Sequence, residues 1–574
     1  MYILGINATY HDSSACLVKD GVVLAAAEEE RFTGVKHGKR PVPFSAYELP
    51  FHAIDYCLAT EGLRLVDVGH VAYSYDPSLL PGSDNGTSIV LPLKPAEQQP
   101  LSSWQSPWDP LFLSYIHNAA RQLAHGAPHH LKKRFSGASP DGPYKWHYVP
   151  HHLAHAESAF RVSPFAEAAV MTIDGRGERT TTAFGMGRGN RLELFGGVEM
   201  PSSLGLLYER VTSYLGFLHS SDEYKVMALA AFGRPALKKQ FQDLVSVDGN
   251  GTFLVKEAEL QAVFGPAREK DGPWEQRHYD IACSLQAVLE ETVLELARWL
   301  QTKTGMDSLC LAGGVALNCV MNSVLRTKGP FRRIWVQPAA GDAGTALGAA
   351  LHVDSVVREP GGRAYGMDTV YLGPCFSDRE IEEFLIRARL PYRKTEHLVD
   401  EVADLLMADA VVGWFQGRME FGPRALGGRS ILASPLHASM QARLNELKDR
   451  EDFRPVAPVV LEEEAPQWFL GAGSSPFMLF TYPVRPDRMD RIPAVRHVDG
   501  TARIQTINRQ QHARYYELIK AFQERSGVPV LVNTSFNTRG RPIVCSPRDA
   551  VECFYTSPLD ALAIGNFLLK KPGV

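Results

Sequence analysis

The sequence predicts an α/β chain with a two-lobed N-terminal domain and a second α/β domain behind it, on three observations. Short apolar runs that read as strands repeatedly enter glycine-rich turns in the first 350 or so residues. The plan of strand, polar turn and hairpin occurs twice, at the N-terminus and again over residues 168–196. A break, EPGGRAYGM at 359–367, then separates two regions of different character. The expected domains are therefore 1–358 and 359–574.

In chain order, YILGIN reads as a strand, ATYHDSS as a turn, and ACLVKDG and VVLAAAEEE as a hairpin closed at Lys19-Asp20-Gly21. Residues from about 80 to 145, rich in proline, serine and tryptophan (PLSSWQSPWDP), interrupt this lobe as an insertion. AAVMTIDG, RGERT, TTAFGMGRG and RLELFG repeat the opening plan. Helical spacings follow at about 207–235 and 277–304. SLCLAGG is a buried strand meeting a helix at VALNCVMNSVL, and IWVQPAAGDAGTALGAALHV repeats strand, glycine turn and helix. Backbone amides at the helix starts near Gly313-Gly314 and Gly344 are placed to cradle phosphate. Two lobes with glycine turns between them describe the actin-like ATPase architecture shared by sugar kinases and heat-shock ATPases.

Composition narrows the class. A chain of 574 residues is too long for one core. With 45% hydrophobic and 22% charged residues it reads as soluble and globular. A net charge of -4 offers no general attraction to nucleic acid or to anionic membranes, so any polyanion it binds should be small. The first residues read as a strand and not as a signal peptide, and no apolar run approaches the roughly 18 residues of a membrane span. Eight scattered cysteines without framework spacing fit a reducing cytoplasm, the expected location.

Metal-type ligands recur in three separated stretches: His151 and His155 in HHLAH, Asp174 in TIDGRGE and Asp342 in GDAGTALG. A helical HxxxH stacks both imidazoles on one face, and strand-end turns hold the two carboxylates. The surrounding stretch is rich in histidine, so HxxxH alone is not specific; the two aspartate turns add weight to it. Two imidazoles with two carboxylates favour iron, manganese or zinc over a thiolate-bound structural zinc.

The C-terminal region differs. AVVGWFQGRMEFGPRALGGRSIL is strand-like and then a basic glycine loop, MQARLNELKDRE an amphipathic helix, and FRPVAPVVL a strand. Arg418, Arg424, Arg429, Lys448, Arg450, Arg454 and Arg503 place cations at loop and helix ends, where guanidinium groups suit phosphate oxygens. VPVLVNTSFNTRGRPIV adds the amides of Asn533 and Asn537 and the hydroxyl of Ser535 after a buried strand.

In order, GINATYHDSSA, AAAEEERFTGVKHG, HHLAHAESAF, TIDGRGE, EYKVMALAAFG, LAGGVALNCVMN, GDAGTALG, QGRMEFGPRALGGRSIL, HVDGTARIQT and NTSFNTRGRPIV resemble the ATP-dependent O-carbamoyltransferases of antibiotic tailoring and nodulation-factor decoration. The resemblance covers nearly the whole chain. It implies an N-terminal domain similar to the tRNA threonylcarbamoyl transferase and a C-terminal α/β domain similar to threonylcarbamoyl-AMP synthase. It further implies that ATP and carbamoyl phosphate, the co-substrates, form carbamoyl adenylate in the second domain, with magnesium accompanying ATP. Arg424, Lys448, Arg454 and Arg503 would bind these anions, with Asn533 and Asn537 nearby. In the first domain His151, His155, Asp174 and Asp342 become ligands of iron(II), other divalent ions remaining open. Gly314 and Asn318 fall where adenosine is held, Lys36 where phosphate is, and His11 where a catalytic histidine takes the acceptor's proton. Glu223 and Lys225 fall on the acceptor side. The expected partner is a small-molecule hydroxyl acceptor, a sugar of a natural product, with no nucleic acid and no membrane; a homodimer is a further open expectation. Two rival readings stand beside this one: an actin-like kinase or ATPase releasing ADP, and a tRNA-modifying carbamoyl transferase.

Overall fold

The structure, a computed structural model, describes residues 1–38, 49–80, 115–125, 144–358 and 365–571. Most of the expected insertion at 80–145, and part of the expected break at 359–367, lie outside the described residues. The chain divides into two compact units, residues 1–226 with 233–367, and residues 227–232 with 368–574.

Among the described residues the first unit holds two five-stranded sheets of one topology. In the first, β1 (Tyr2–Asn7), β2 (Ser14–Lys19) and β3 (Val22–Glu28) form an antiparallel meander, and β4 (His70–Tyr73) and β5 (Lys145–Tyr148) add in parallel on the free side of β1. In the second, β6 (Glu167–Ile173), β7 (Thr180–Arg188) and β8 (Arg191–Glu199) form the meander. A small hairpin, β9 (Val245–Val247) with β10 (Phe253–Val255), stands apart, and β11 (Ser308–Ala312) and β12 (Arg333–Val336) add in parallel beside β6. The orders β3-β2-β1-β4-β5 and β8-β7-β6-β11-β12 are equivalent. The repeat legible at 168–196 is thus a duplicated lobe, and the unit is actin-like. Strands β1, β2 and β6 are buried nearly throughout, as strands covered on both faces must be.

One helix joins the lobes at the site. Ala343–Val357 packs on β1, β2 and β4 and on the helix His151–Phe160. Backbone contact sets the distance: a Cβ on Gly5 would stand 1.9 Å from the Ala346 carbonyl oxygen, and one on Gly348 1.8 Å from that of Ala154. Ser14 Oγ donates to Ala343 O (2.8 Å), fixing the start of the helix.

The helical pattern at 207–235 is not one helix. It splits into Leu204–Tyr214 and Glu223–Leu229, followed by a 3-10 turn at Ala230–Phe232. Between them Ser220 takes a left-handed φ of 52°, and the Asp222 carboxylate accepts from the Leu218 N–H at 3.2 Å. Local polar bonding there competes with helix propagation. The second pattern holds as Gln276–Thr304, and VALNCVMNSVL becomes a 3-10 turn and the helix Cys319–Lys328.

The second unit is built on an eight-stranded sheet, counted among the described residues. Its strands are β13 (Arg393–Lys394), β14 (Val412–Phe415), β15 (Arg429–Ala433), β16 (Ala457–Leu461), β19 (Gln505–Ile507), β20 (Val530–Ser535), β21 (Ala561–Ile564) and β22 (Phe567–Lys570). β17 (Thr481–Pro483) and β18 (Thr501–Arg503) form a separate pair. The order is β13-β22-β21-β14-β15-β20-β16-β19. Helices Leu398–Met407 and Ala513–Ser526 pack on each other, burying Val402, Leu406, Leu518 and Phe522. None of the eight cysteines forms a disulfide. Among the described residues no helix is long and apolar enough to cross a membrane.

Candidate functional site

The structure brings the four expected metal ligands together. His151 and His155 occupy successive turns of one helix, Asp174 follows β6, and Asp342 stands at the head of Ala343–Val357. Nε2 of His155 lies 3.2 Å from Nε2 of His151 and 3.2 Å from Oδ2 of Asp174. His151 Nε2 is 3.3 Å from Asp174 Oδ2, and Asp342 Oδ1 is 3.6 and 3.7 Å from the two imidazoles. Ligand atoms bound at about 2.1 Å to one ion stand roughly 3.0–3.4 Å apart in octahedral or tetrahedral geometry. The observed spacing is close to that.

A second observation fits the same assignment. Asp342 is 1% exposed, neither carboxylate oxygen has a hydrogen bond, and its side chain does not cap its own helix. A buried anion left without donors is costly, and a cation among these four groups removes the cost. The donor set therefore fits a divalent ion of the iron, manganese or zinc type.

Neighbouring groups fix the ligands. Asp174 Oδ1 accepts from the Gly314 N–H (2.9 Å), and His151 Nδ1 bonds the Ser74 carbonyl (3.3 Å). Glu178 Oε1 accepts from the backbone N–H groups of His151 and Asp76, both at 2.8 Å, satisfying an open donor at the start of the ligand helix. Burial raises the Glu178 carboxyl pKa. Burial disfavours the His151 imidazolium, but the adjacent Asp174 and Asp342 carboxylates outweigh it and hold its pKa well above the usual value. Burial likewise opposes ionised Asp174, and its bonds to His151 and His155 carry its pKa well below. Sequence reasoning missed Ser74 and Glu178. Glu178 ends the TIDGRGE motif, so its position was visible and its role was not.

His11 lies beside this cluster, its Nε2 3.9 Å from Asp342 Oδ2. Its Nδ1 bonds Asp12 Oδ2 (2.9 Å), whose Oδ1 meets His37 Nδ1 (2.8 Å). Asn7, fully buried, donates to the His11 and Asp12 carbonyls, both at 3.1 Å, and so shapes the turn. Lys36 stands with its Nζ 6.0 Å from the Tyr224 ring centroid. Glu223 is raised in pKa by burial and by the Glu209 carboxylate, and Lys225 pairs with Asp222 at 3.1 Å. Asn318 caps Cys319–Lys328 and exchanges hydrogen bonds with Gln286 at 2.8 and 3.1 Å.

In the second unit the strand register gathers the expected anion-binding residues at one end of the sheet. Ser430 on β15 pairs with Ser535 on antiparallel β20, Ala457 on β16 pairs with Asn533, and Gln505 on β19 pairs in parallel with Val459. The starts of β15, β16 and β19 therefore meet the end of β20. Arg424, Arg454 and Arg503 precede those three strands, while Asn533 and Asn537 belong to the end of β20. Lys448 joins them by donating to Ser535 Oγ (2.9 Å) and Asn537 Oδ1 (2.8 Å). Arg454 pairs with Glu451 at 3.5 Å.

Three residues depart from the expected role of cations at loop ends. Arg429 is fully buried, donates to carbonyls of Pro374, Gln416, Gly417, Gly428 and Cys545, and stacks 3.6 Å over Phe415. Arg418 donates to Leu372 O (2.7 Å) and Gly373 O (3.3 Å). Arg450 Nε donates to Asn445 Oδ1 (2.6 Å). These guanidinium groups hold backbone and helix ends.

Comparison with known proteins places this architecture among the transferases that move carbamoyl groups. The pattern described as Carbamoyltransferase N-terminus matches residues 2–78 and 144–351, and that described as Carbamoyltransferase C-terminus matches residues 403–571. The chain belongs to the carbamoyltransferase family. It is 40% identical to the protein sll1178 of Synechocystis sp. over 99% of this chain and 97% of that one. It is 40% identical to Nodulation protein NolNO of Sinorhizobium fredii over 98% of this chain and 80% of that one. Nodulation protein NolO of Bradyrhizobium diazoefficiens is 42% identical over 73% of this chain and 78% of its own length.

Proposed function

We propose that the chain is an ATP-dependent O-carbamoyltransferase that makes carbamoyl adenylate and transfers its carbamoyl group to a hydroxyl, on a sugar of a small natural product. The observation that carries this reading is the convergence of His151, His155, Asp174 and Asp342, with its unbonded buried carboxylate, in a member of the carbamoyltransferase family.

The adenylate forms in the second unit. Carbamoyl phosphate and ATP are both anions, and Arg424, Lys448, Arg454 and Arg503 at the strand ends offset their repulsion. Water first cleaves carbamoyl phosphate to carbamate and inorganic phosphate; a carbamate oxygen then attacks the α-phosphorus of ATP, and pyrophosphate departs. Asn537 and Ser535, held by Lys448, orient the ligand.

Transfer takes place in the first unit. An ion held by the four ligands would polarise a phosphate or carbonyl oxygen of the adenylate. His11, its Nδ1 fixed by Asp12, takes the proton of the acceptor hydroxyl as the new C–O bond forms. AMP leaves with its phosphate. Gly314, whose N–H is engaged by Asp174, and the neighbouring helix starts border the nucleotide. Iron(II) is the proposed ion, and magnesium accompanies ATP.

The test is nucleotide analysis after incubation with ATP and carbamoyl phosphate, with and without RNA, followed by a panel of decarbamoylated acceptors read by mass. AMP and pyrophosphate formed without RNA are expected. ADP as the nucleotide product identifies a kinase or ATPase, and strict RNA dependence a tRNA-modifying transferase.

A further inference from the structure

We infer that Glu420 is a positioning residue for Arg424, acting through the backbone of the loop 421–428; this rests on the adenylate-forming role proposed for Arg424. Glu420 is 2% exposed. Its Oε1 accepts from three backbone N–H groups, of Leu426 and Gly428 at 2.7 Å and of Arg429 at 3.2 Å. The Gly427 N–H goes to Ser430 Oγ at 3.0 Å. The amides from Leu426 to Arg429 are thus all directed into the protein. A glycine-rich loop in this setting would ordinarily bind phosphate with those amides. Here they are unavailable, so recognition of anions passes to the side chain the loop carries.

The carbonyl side of the loop is tied as firmly. Tyr371 Oη and Gln505 Nε2 each donate to the Leu426 carbonyl at 2.7 Å, and Asn533 Nδ2 donates to that of Ala425 at 3.1 Å. Asn533 is itself 1% exposed and donates also to Gln505 Oε1 at 2.7 Å. Arg424 is therefore launched from a backbone gripped on both sides from the next residue onward, next to exposed Pro423. The acid is the natural anchor. A charged acceptor shared by three N–H groups binds each more strongly than a neutral one and sets a single loop shape. Fixing Arg424 before substrates arrive removes an ordering cost from the reaction.

Glu420→Gln keeps the shape and one acceptor oxygen while removing the charge. For pyrophosphate release from ATP and carbamoyl phosphate, it should lower kcat/KM roughly 10- to 100-fold, the size of effect expected from a displacement of about 1 Å. Metal content and melting behaviour should change little. The decisive measurement is the double variant. If Glu420 acts through Arg424, Glu420→Gln combined with Arg424→Ala is no slower than Arg424→Ala alone. Multiplied losses would overturn the inference, as would wild-type kinetics in folded Glu420→Gln. Should Glu420→Gln fail to fold, Tyr371→Phe replaces it, removing one bond from the carbonyl side. A smaller loss that vanishes in the Arg424→Ala background supports the inference, and a loss that persists there, or none at all, refutes it. Full activity of Arg424→Ala alone would instead overturn the proposed role of Arg424.

Discussion

The two candidate sites assemble charge by different means. In the first unit the four metal-type side chains come from the His151–Phe160 helix, the end of β6 and the head of Ala343–Val357, where backbone meets backbone closely. In the second, cations stand at the starts of neighbouring strands, gathered by β-register, and several arginines beside them serve the frame instead. A metal site needs positions held within a few tenths of an ångström. A polyanion site needs a field, which tolerates looser placement.

The largest expected effects separate the two centres. Asp342→Ala or His155→Ala should abolish stoichiometric metal, with affinity falling at least about 100-fold, the upper range for loss of mere outer partners. Carbamoyl transfer should stop while carbamoyl adenylate is still made and pyrophosphate released. Metal analysis beside a pyrophosphate assay checks this, and loss of pyrophosphate release in the same variants would merge the two sites. Arg454→Ala is the mirror case: AMP formation should fall about 100-fold or more, on the scale of a lost transition-state donor, with metal content unchanged.

A smaller effect tests the backbone seam. Gly348→Ala introduces a methyl where 1.8 Å is available to the Ala154 oxygen. We expect a loss of about 1–3 kcal/mol or more in the first unit, seen as a lower Tm, together with weaker metal binding. An unchanged metal isotherm would show that the ligands do not depend on this contact.

The smallest effect belongs to the second unit. Burial, helped by Arg514 and Arg429, pushes the His512 pKa down to about 4. Its Nδ1 accepts the Tyr515 N–H at 3.2 Å, capping Ala513–Ser526, which only the neutral ring can do. The folded value lies below the ordinary one near 6.5, so protonation favours the unfolded chain. Stability is full above about pH 6.5 and lost as pH falls toward 4, by about 1–2 kcal/mol for this half-buried ring. His512→Asn, which still offers a capping oxygen, should flatten the Tm profile over that window; an unchanged slope would exclude His512 as its source.

Much of this was legible in the sequence because the features are local. HxxxH on a helix, aspartates after short apolar runs and a repeated meander are written in adjacent residues, and the structure shows them meeting as duplicated topology requires. What sequence could not convey is where a polar side chain spends its bonds. Arg429 and Arg424 sit five residues apart in the same basic glycine loop and look alike there, yet one is buried under carbonyls and the other is half-exposed. Glu178 and Glu420 share that obscurity, since each acts on backbone N–H groups that carry no residue signature. The broken helix at 207–235 has the same origin, in a serine and an aspartate that bond locally.

The close passages at Gly5 and Gly348 have a bearing on how this enzyme can change over generations. Where side chains meet, a larger residue on one face can be matched by a smaller one opposite, and lineages drift through such pairs. At these two points the opposing surface is a carbonyl oxygen, which no substitution can shrink. The joint between lobes is therefore held to a single solution.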